Sequence, residues 1–345
     1  MHPKILALRC LCKAAEQGSI GNRLAVVSVS AEAPRTSTKN QKGRTAMRAL
    51  VCPGQGSQKK GFLSPWLEIE GVREHLERLS EAAGIDLIHY GTEAEEETIK
   101  DTAIAQPLIV AAGIVTGRLA LRELDGEELI FAGHSVGEIT AAALAGVLSD
   151  EDAMRFVRVR ANGMAEAAAA SPTGMAAVLG GVEENVREAI DAAGLVAANS
   201  NGGGQIVAAG PIPAIEAFAA NPPARARVIP LKVAGAFHTE AMAPAVPALE
   251  EFAASLQVSD PTSALLTNRD GSAVASGEEF VKTLVSQVTS PVRWDLCMAT
   301  LLEREVAGII EVAPAGTLVG LAKRAMRGVP GTSINTPEDL ASLKG

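Results

Sequence analysis

Residues 128–148 constrain the chain more than any other segment. Glu128-Leu129-Ile130-Phe131-Ala132-Gly133 is an apolar run of strand length, and Glu138 to Leu148 is an Ala-rich run of helical character. Gly133-His134-Ser135-Val136-Gly137 links them. A strand that becomes a helix over so short a span must turn sharply. Small flanking glycines let the backbone approach itself there. The pattern is the G-x-S-x-G nucleophile elbow. The helix after it points its first amides at whatever lies over Ser135, so the Val136 amide can donate to a developing oxyanion. Two readings stand: Ser135 is a nucleophile, or it is a small residue in a tight turn.

The rest of the chain repeats the strand-to-helix theme. Arg48-Ala49-Leu50-Val51-Cys52-Pro53 reads as a buried strand ending in the turn Gly54-Gln55-Gly56. Helices are predicted over 70–83 and 106–124, and Ser149 reads as the N-cap of a helix with Asp150, Glu151 and Asp152 in its first turn. This alternation predicts an α/β fold, its sheet mainly parallel and covered on both faces. From 173 to 234 the pattern changes. Strand Met175–Gly180, helix Glu183–Ala193, strand Gln205–Gly210, helix Ile212–Ala220 and strand Arg227–Leu231 read as a small inserted subdomain. The expected core therefore comprises 47–172 and 235–340. Its later part holds helices at 240–256, 277–286 and 295–304, with strands at 264–267 and 308–312.

Composition excludes several function classes. A net charge of −9 and only 3% aromatic residues argue against a nucleic-acid surface. No stretch approaches the roughly 20 apolar residues of a membrane span, so no membrane partner is expected. Cys10, Cys12, Cys52 and Cys297 show neither zinc-ligand spacing nor a disulfide framework. No metal is expected, and a reducing cytoplasm is the simplest compartment. Residues 1–46 differ, with eight Lys/Arg against two acids. They read as a poorly ordered leader, either a transit peptide for organellar import or an extension upstream of a start at Met47.

A serine nucleophile needs a base. Of the histidines, His2 lies in the leader, His75 sits among charged residues and reads as part of a solvated helix face, and His89 follows an apolar run. His134 adjoins the serine and is expected on the opposite face. Elimination leaves His238, in Ala234-Gly235-Ala236-Phe237-His238-Thr239, between a strand and a helix. No acid stands out as a third triad member, so a backbone carbonyl is a candidate to hold the imidazole tautomer.

One arginine is on the wrong face. Arg160 lies three residues after Val157 and four before Met164, within the apolar stripe of its helix. A charge aimed inward needs a partner. It is either half of a structural ion pair or a planar fork for a substrate carboxylate.

Together these residues resemble the malonyl-CoA:acyl-carrier-protein transacylase family of fatty acid and polyketide synthesis. The resemblance is carried by Pro53-Gly54-Gln55-Gly56-Ser57-Gln58, Gln106-Pro107, Gly133-His134-Ser135-Val136-Gly137-Glu138 and Arg160. It continues through Asn199 to Gln205, Gly235-Ala236-Phe237-His238, Asn268, Gln287 to Trp294, and Glu311-Val312-Ala313-Pro314, covering about 47 to 335. It implies an α/β-hydrolase-like large subdomain with a small ferredoxin-like α+β insertion. It also implies that Ser135 carries the acyl group, His238 is its base, and the amides of Gln55 and Val136 form the oxyanion hole. Arg160 would pair with the malonyl carboxylate, the Gln287 main-chain carbonyl would orient His238, and Asn268 would support the site. Phe237 would line a malonyl-type pocket and disfavour an α-methyl branch; plain core packing is its other reading. The chain departs from the family at Gly202-Gly203-Gly204, where many members have serine and proline, and in the leader.

The resemblance implies a ping-pong malonyltransferase, a monomer whose partners are a coenzyme A thioester and acyl carrier protein, with malonyl-CoA as substrate and no cofactor. Fatty acid synthesis is the expected pathway and a polyketide pathway the alternative. A serine esterase or thioesterase is the rival on the same elbow; it predicts a triad acid and needs no buried arginine. A non-catalytic carrier-docking module would tolerate loss of Ser135 and His238. Lys323, Arg324 and Arg327 are candidates to meet an acidic carrier, or a solvated helix face.

Overall fold

The computed structural model describes residues 47–344; the leader reading lies outside them. The strands are β1 Arg48–Cys52, β2 Leu129–Gly133, β3 Thr173–Gly180, β4 Val196–Gly202, β5 Gln205–Pro211 and β6 Ala226–Pro230. They continue with β7 Ala264–Leu266, β8 Ala273–Val274, β9 Val292–Arg293, β10 Gly308–Glu311 and β11 Gly331–Ser333. The first helices are α1 Val72–Ala83, α2 Leu87–Thr92, α3 Thr102–Glu123, α4 Gly137–Leu144, α5 Asp150–Ala170 and α6 Glu183–Ala192. After them come α7 Ile212–Ala220, α8 Val246–Ala253, α9 Gly277–Ser286, α10 Trp294–Glu303 and α11 Thr317–Ala325.

Two sheets result. The larger runs β11-β10-β1-β2-β7-β8 and is parallel throughout except for the final β7–β8 pair. Its central strands are buried on both faces, which is why β1 and β2 read as continuous apolar runs. The smaller runs β6-β3-β5-β4-β9, with antiparallel pairs among β3 to β6 and a parallel β4–β9 pair. Its first four strands fall between 173 and 230, in the order β-α-β-β-α-β. The sequence reading lacks β4, whose residues Val-Ala-Ala-Asn-Ser-Asn-Gly have weak strand propensity and whose pairing with β5 is interrupted by register shifts.

Helix α3 is long and apolar enough by length and composition to cross a membrane, contrary to the sequence reading. It is instead a core helix, with 78% of that apolar window buried inside the protein. Polar Gln106 and Pro107 lie inside it. Pro107 has no N–H to give the carbonyl one turn back. That carbonyl, of Ala103, accepts instead from Arg158 Nη1 of α5 at 2.8 Å. The substitution ties α5 to α3 and brings Arg160 of one helix beside Gln106 of the other.

Candidate active site

The elbow forms as the sequence reading expects. β2 ends at Gly133, α4 begins at Gly137, and Ser135 between them has φ 53°. That left-handed geometry costs a non-glycine residue about 1–3 kcal/mol and persists only when its surroundings hold it. The glycines are needed for contact. A Cβ at Gly133 would lie 2.0 Å from the Gly137 carbonyl carbon, and one at Gly137 would lie 2.2 Å from the Cys52 carbonyl oxygen.

Three elements converge on the serine. The segment after β6 brings in His238, also left-handed at φ 62°, with Nε2 2.7 Å from Ser135 Oγ. Its Nδ1 donates to the Gln287 main-chain carbonyl at 2.8 Å. This fixes the tautomer that leaves Nε2 free to accept, without a carboxylate. Asn268, just after β7, accepts from the Ser135 amide at 2.8 Å and donates to the Gly133 carbonyl at 2.7 Å. It therefore clamps both ends of the strained turn.

Arg160 points inward from α5 and is 1% exposed. Nη1 donates to Gln106 Oε1 at 2.6 Å; Nη2 donates to Gln287 Oε1 at 2.8 Å and reaches Ser135 Oγ at 3.3 Å. Its Nε finds no partner. These hydrogen-bond partners are neutral, so the fork is not the half of a structural ion pair that one sequence reading allowed. Burial lowers the guanidinium pKa to about 10, against the opposing pull of Glu138, and the group stays charged at neutral pH. Burial first, and then the charge of Arg160, push His238 down to about 3. The His238 imidazole is therefore neutral across the physiological range, with Nδ1 donating to Gln287 and Nε2 carrying a lone pair toward Ser135.

Ser135, His238 and Gln106 line a cleft of about 620 Å³ together with Gln55, Val136, Met164, Phe237 and, from the smaller sheet, Asn199, Asn201 and Gln205. The Gln55 side chain donates to Thr102 Oγ1 at 3.2 Å and accepts from Gln106 at 3.4 Å, so the turn after β1 is braced against α3. Arg324 stands at the mouth, exposed, and donates to Gln205 Oε1 at 3.1 Å. Gly202, Gly203 and Gly204 all have positive φ (69°, 57° and 77°). Among the described residues no group of three His, Cys, Asp or Glu side chains is placed to hold a metal.

His134 corrects the sequence reading. It lines the same cleft, with Nε2 2.8 Å from Asn201 Oδ1 and its ring edge-on to Trp294. Strand alternation ends at Gly133, and the turn carries the next side chain out of phase. His75 is corrected too: its Nε2 lies 3.1 Å from Asp150 and its side chain is only 17% exposed.

The acyl transferase domain model matches residues 49–336. Malonyl CoA-acyl carrier protein transacylase of Mycobacterium tuberculosis is 52% identical over 86% of this chain and 99% of its own length. The chain belongs to the malonyl-CoA:acyl-carrier-protein transacylase family. The enzyme of that name from Escherichia coli is 32% identical over 85% of this chain and 97% of its own. The crystal structure of MCAT from Mycobacterium tuberculosis superposes with a TM-score of 0.85, at 52% identity, covering 87% of this chain and 100% of that one. A malonyl-transacylase solved in complex with a type II polyketide acyl-carrier protein has a TM-score of 0.80 at 29% identity, covering 86% and 99%.

Two residues of the family's motifs gained no role from the sequence. Gln106 holds Arg160, and Glu138 lies buried behind the serine. The available signal was position: one amide inside an apolar helix and one acid opening an Ala-rich one.

Proposed function

We propose that the chain transfers malonyl from malonyl-CoA to the phosphopantetheine thiol of acyl carrier protein, in fatty acid synthesis, through a malonyl-Ser135 intermediate. The carrying observation is one oxygen with two neighbours: Ser135 Oγ lies 2.7 Å from His238 Nε2 and 3.3 Å from Arg160 Nη2. A base activates the nucleophile while a buried cation waits within reach of a carboxylate on the same acyl group.

In the first half-reaction His238 Nε2 takes the Ser135 proton as Oγ bonds to the thioester carbonyl carbon. The Gln55 and Val136 amides receive the oxyanion. The carbon–sulfur bond breaks, and the imidazolium returns its proton to the coenzyme A sulfur. In the second half-reaction His238 takes the proton of the carrier thiol, whose sulfur attacks malonyl-Ser135. Ser135 leaves and recovers the proton. Arg160 pairs with the malonyl carboxylate throughout, and a neutral acyl group would leave that buried charge unmatched. Phe237, 7% exposed beside the base, narrows the pocket against an α-methyl branch.

An esterase or thioesterase reading lacks support from a triad acid, since Nδ1 is satisfied by a carbonyl. We place the enzyme, a monomer, in the cytoplasm. Free, buried Cys52 and Cys297 are compatible with a reducing compartment. The test is intact mass after incubation with malonyl-CoA. Ser135 should gain one malonyl group, discharged by holo carrier protein, and Arg160→Ala should lose malonyl loading while keeping acetyl loading. Acetyl loading equal to malonyl in the unaltered protein would refute the role of Arg160.

A further inference from the structure

We propose that Glu138 is a positioning residue that sets the preference for a carboxylated acyl group, by holding the Gln287 amide with its oxygen toward Arg160. The inference rests on the malonyl-transfer reading and assigns a role to a residue outside the acyl pocket.

Glu138 stands in the first turn of α4, 1% exposed, among apolar neighbours such as Ile139 and Ala141. Its Oε1 accepts from the Asn268 amide at 2.7 Å, and its Oε2 accepts from Gln287 Nε2. Gln287 Nε2 also donates to the Ser135 carbonyl at 3.1 Å, and its Oε1 faces Arg160. A side-chain amide has unlike ends. While Glu138 presents only acceptors, the NH2 of Gln287 must face it and the oxygen must face the guanidinium. Reversing the amide would set donor against donor in a dry site.

The arrangement serves an anion-binding arginine. Gln106 Oε1 and Gln287 Oε1 hold the fork from two sides without neutralising it. A carboxylate placed directly on Arg160 would cancel the charge that the substrate is to meet. Placed one amide further back, Glu138 aligns the fork and leaves the charge unspent. The charged or titratable groups that bear on Glu138 are Arg160 and Cys297, whose thiol burial holds protonated. Burial raises the Glu138 carboxyl to about 7, against the pull of the Asn268 amide, Gln287 and Arg160. A proton taken there turns one acceptor into a donor that faces an N–H.

The experiment compares loading of Ser135 from malonyl-CoA and from acetyl-CoA in the unaltered protein and in Glu138→Gln, with fluorophosphonate labelling of Ser135 as a third readout. The substituted amide would offer a single acceptor where two donors each need one, so malonyl kcat/KM should fall by about tenfold or more. Acetyl loading and labelling should stay within about threefold, which lowers the malonyl-to-acetyl ratio. A parallel fall in all three would mark a merely structural role and overturn the proposal, as would an unchanged ratio. If Glu138→Gln does not fold, the unaltered protein decides by its ratio between about pH 8.5 and about pH 5.5, because His238 acts on both substrates and cancels. The ratio should drop as pH falls through about 7; a flat ratio overturns the proposal. Absence of any malonyl adduct on the unaltered protein would instead remove the malonyl-transfer reading, and this inference with it.

Discussion

Replacing Asn268 by alanine tests whether the strained elbow is held from outside. The side chain is 1% exposed and makes two short hydrogen bonds, from the Ser135 amide at 2.8 Å and to the Gly133 carbonyl at 2.7 Å. Alanine leaves a buried donor and a buried acceptor unmatched, at about 1–3 kcal/mol each. The combined loss of about 2–6 kcal/mol is large against a total stability of about 5–15 kcal/mol. At about 1.6 °C per kcal/mol for a folded chain of about 300 residues, Tm should fall by at least about 3 °C. Activity should fall further than stability. Ser135 at φ 53° relaxes once its amide is released, and Oγ moves off His238 Nε2. A shift of about 1 Å at a nucleophile costs about 10²-fold in rate. Scanning fluorimetry reads the first effect, and the rate of malonyl adduct formation by intact mass reads the second. Asn268→Asp sharpens the test. One oxygen still accepts from the Ser135 amide, while the other meets the Gly133 carbonyl and must be protonated to bond it. Its loading deficit relative to the unaltered protein should shrink as pH is lowered. An Asn268→Ala protein with Tm within about 1 °C and loading within about twofold of the unaltered protein would refute the clamp.

Other outcomes follow from the same geometry. Gly137→Ala should abolish soluble folded protein or cut loading by about 10²-fold, because its Cβ would meet backbone oxygens of Cys52 and Pro53 at 2.2 and 2.7 Å; circular dichroism and adduct mass check it. His238 is held near 3 in the folded protein and titrates at its ordinary 6.5 when unfolded. The unfolded chain therefore takes up a proton that the native protein refuses, and this residue's contribution to stability falls as pH drops below 6.5, by about 1.4 kcal/mol per unit. Denaturant titrations of the unaltered protein and His238→Gln should show their stability difference changing in that direction, and parallel curves would contradict it. Because the base stays neutral, malonyl loading should also show no acid limb centred near 6.5 arising from His238.

Much of the site was legible from local chemistry. The elbow needs only a strand, a helix and two glycines between them, all adjacent in sequence. Arg160 was betrayed by helical phase, since a cation on an apolar stripe must turn inward. His238 was reached by elimination. Other features have no local signature. The orienting partner of His238 is a main-chain carbonyl, a group every residue carries, so only the chain's path selects Gln287. His134 defeated strand parity because the turn begins one residue earlier than alternation assumes. β4 escaped because its asparagine-rich strand is stabilised by β5 and by the distant β9 rather than by its own propensity.

By itself the sequence determined the chemistry on offer: a serine on a sharp turn, a histidine at a strand-to-helix junction, an inward cation and an alternating α/β order. Those are properties of covalent neighbours and of periods of two and 3.6 residues. Tertiary structure decided how the groups are tuned. Pro107 frees a carbonyl that Arg158 takes, and this sets α5 against α3. Burial then holds His238 neutral, while Arg160, lowered only to about 10, stays charged among neutral hydrogen-bond partners. Burial and hydrogen-bond direction arise from residues far apart in the chain, 152 positions between Gln287 and Ser135, and no local pattern encodes them.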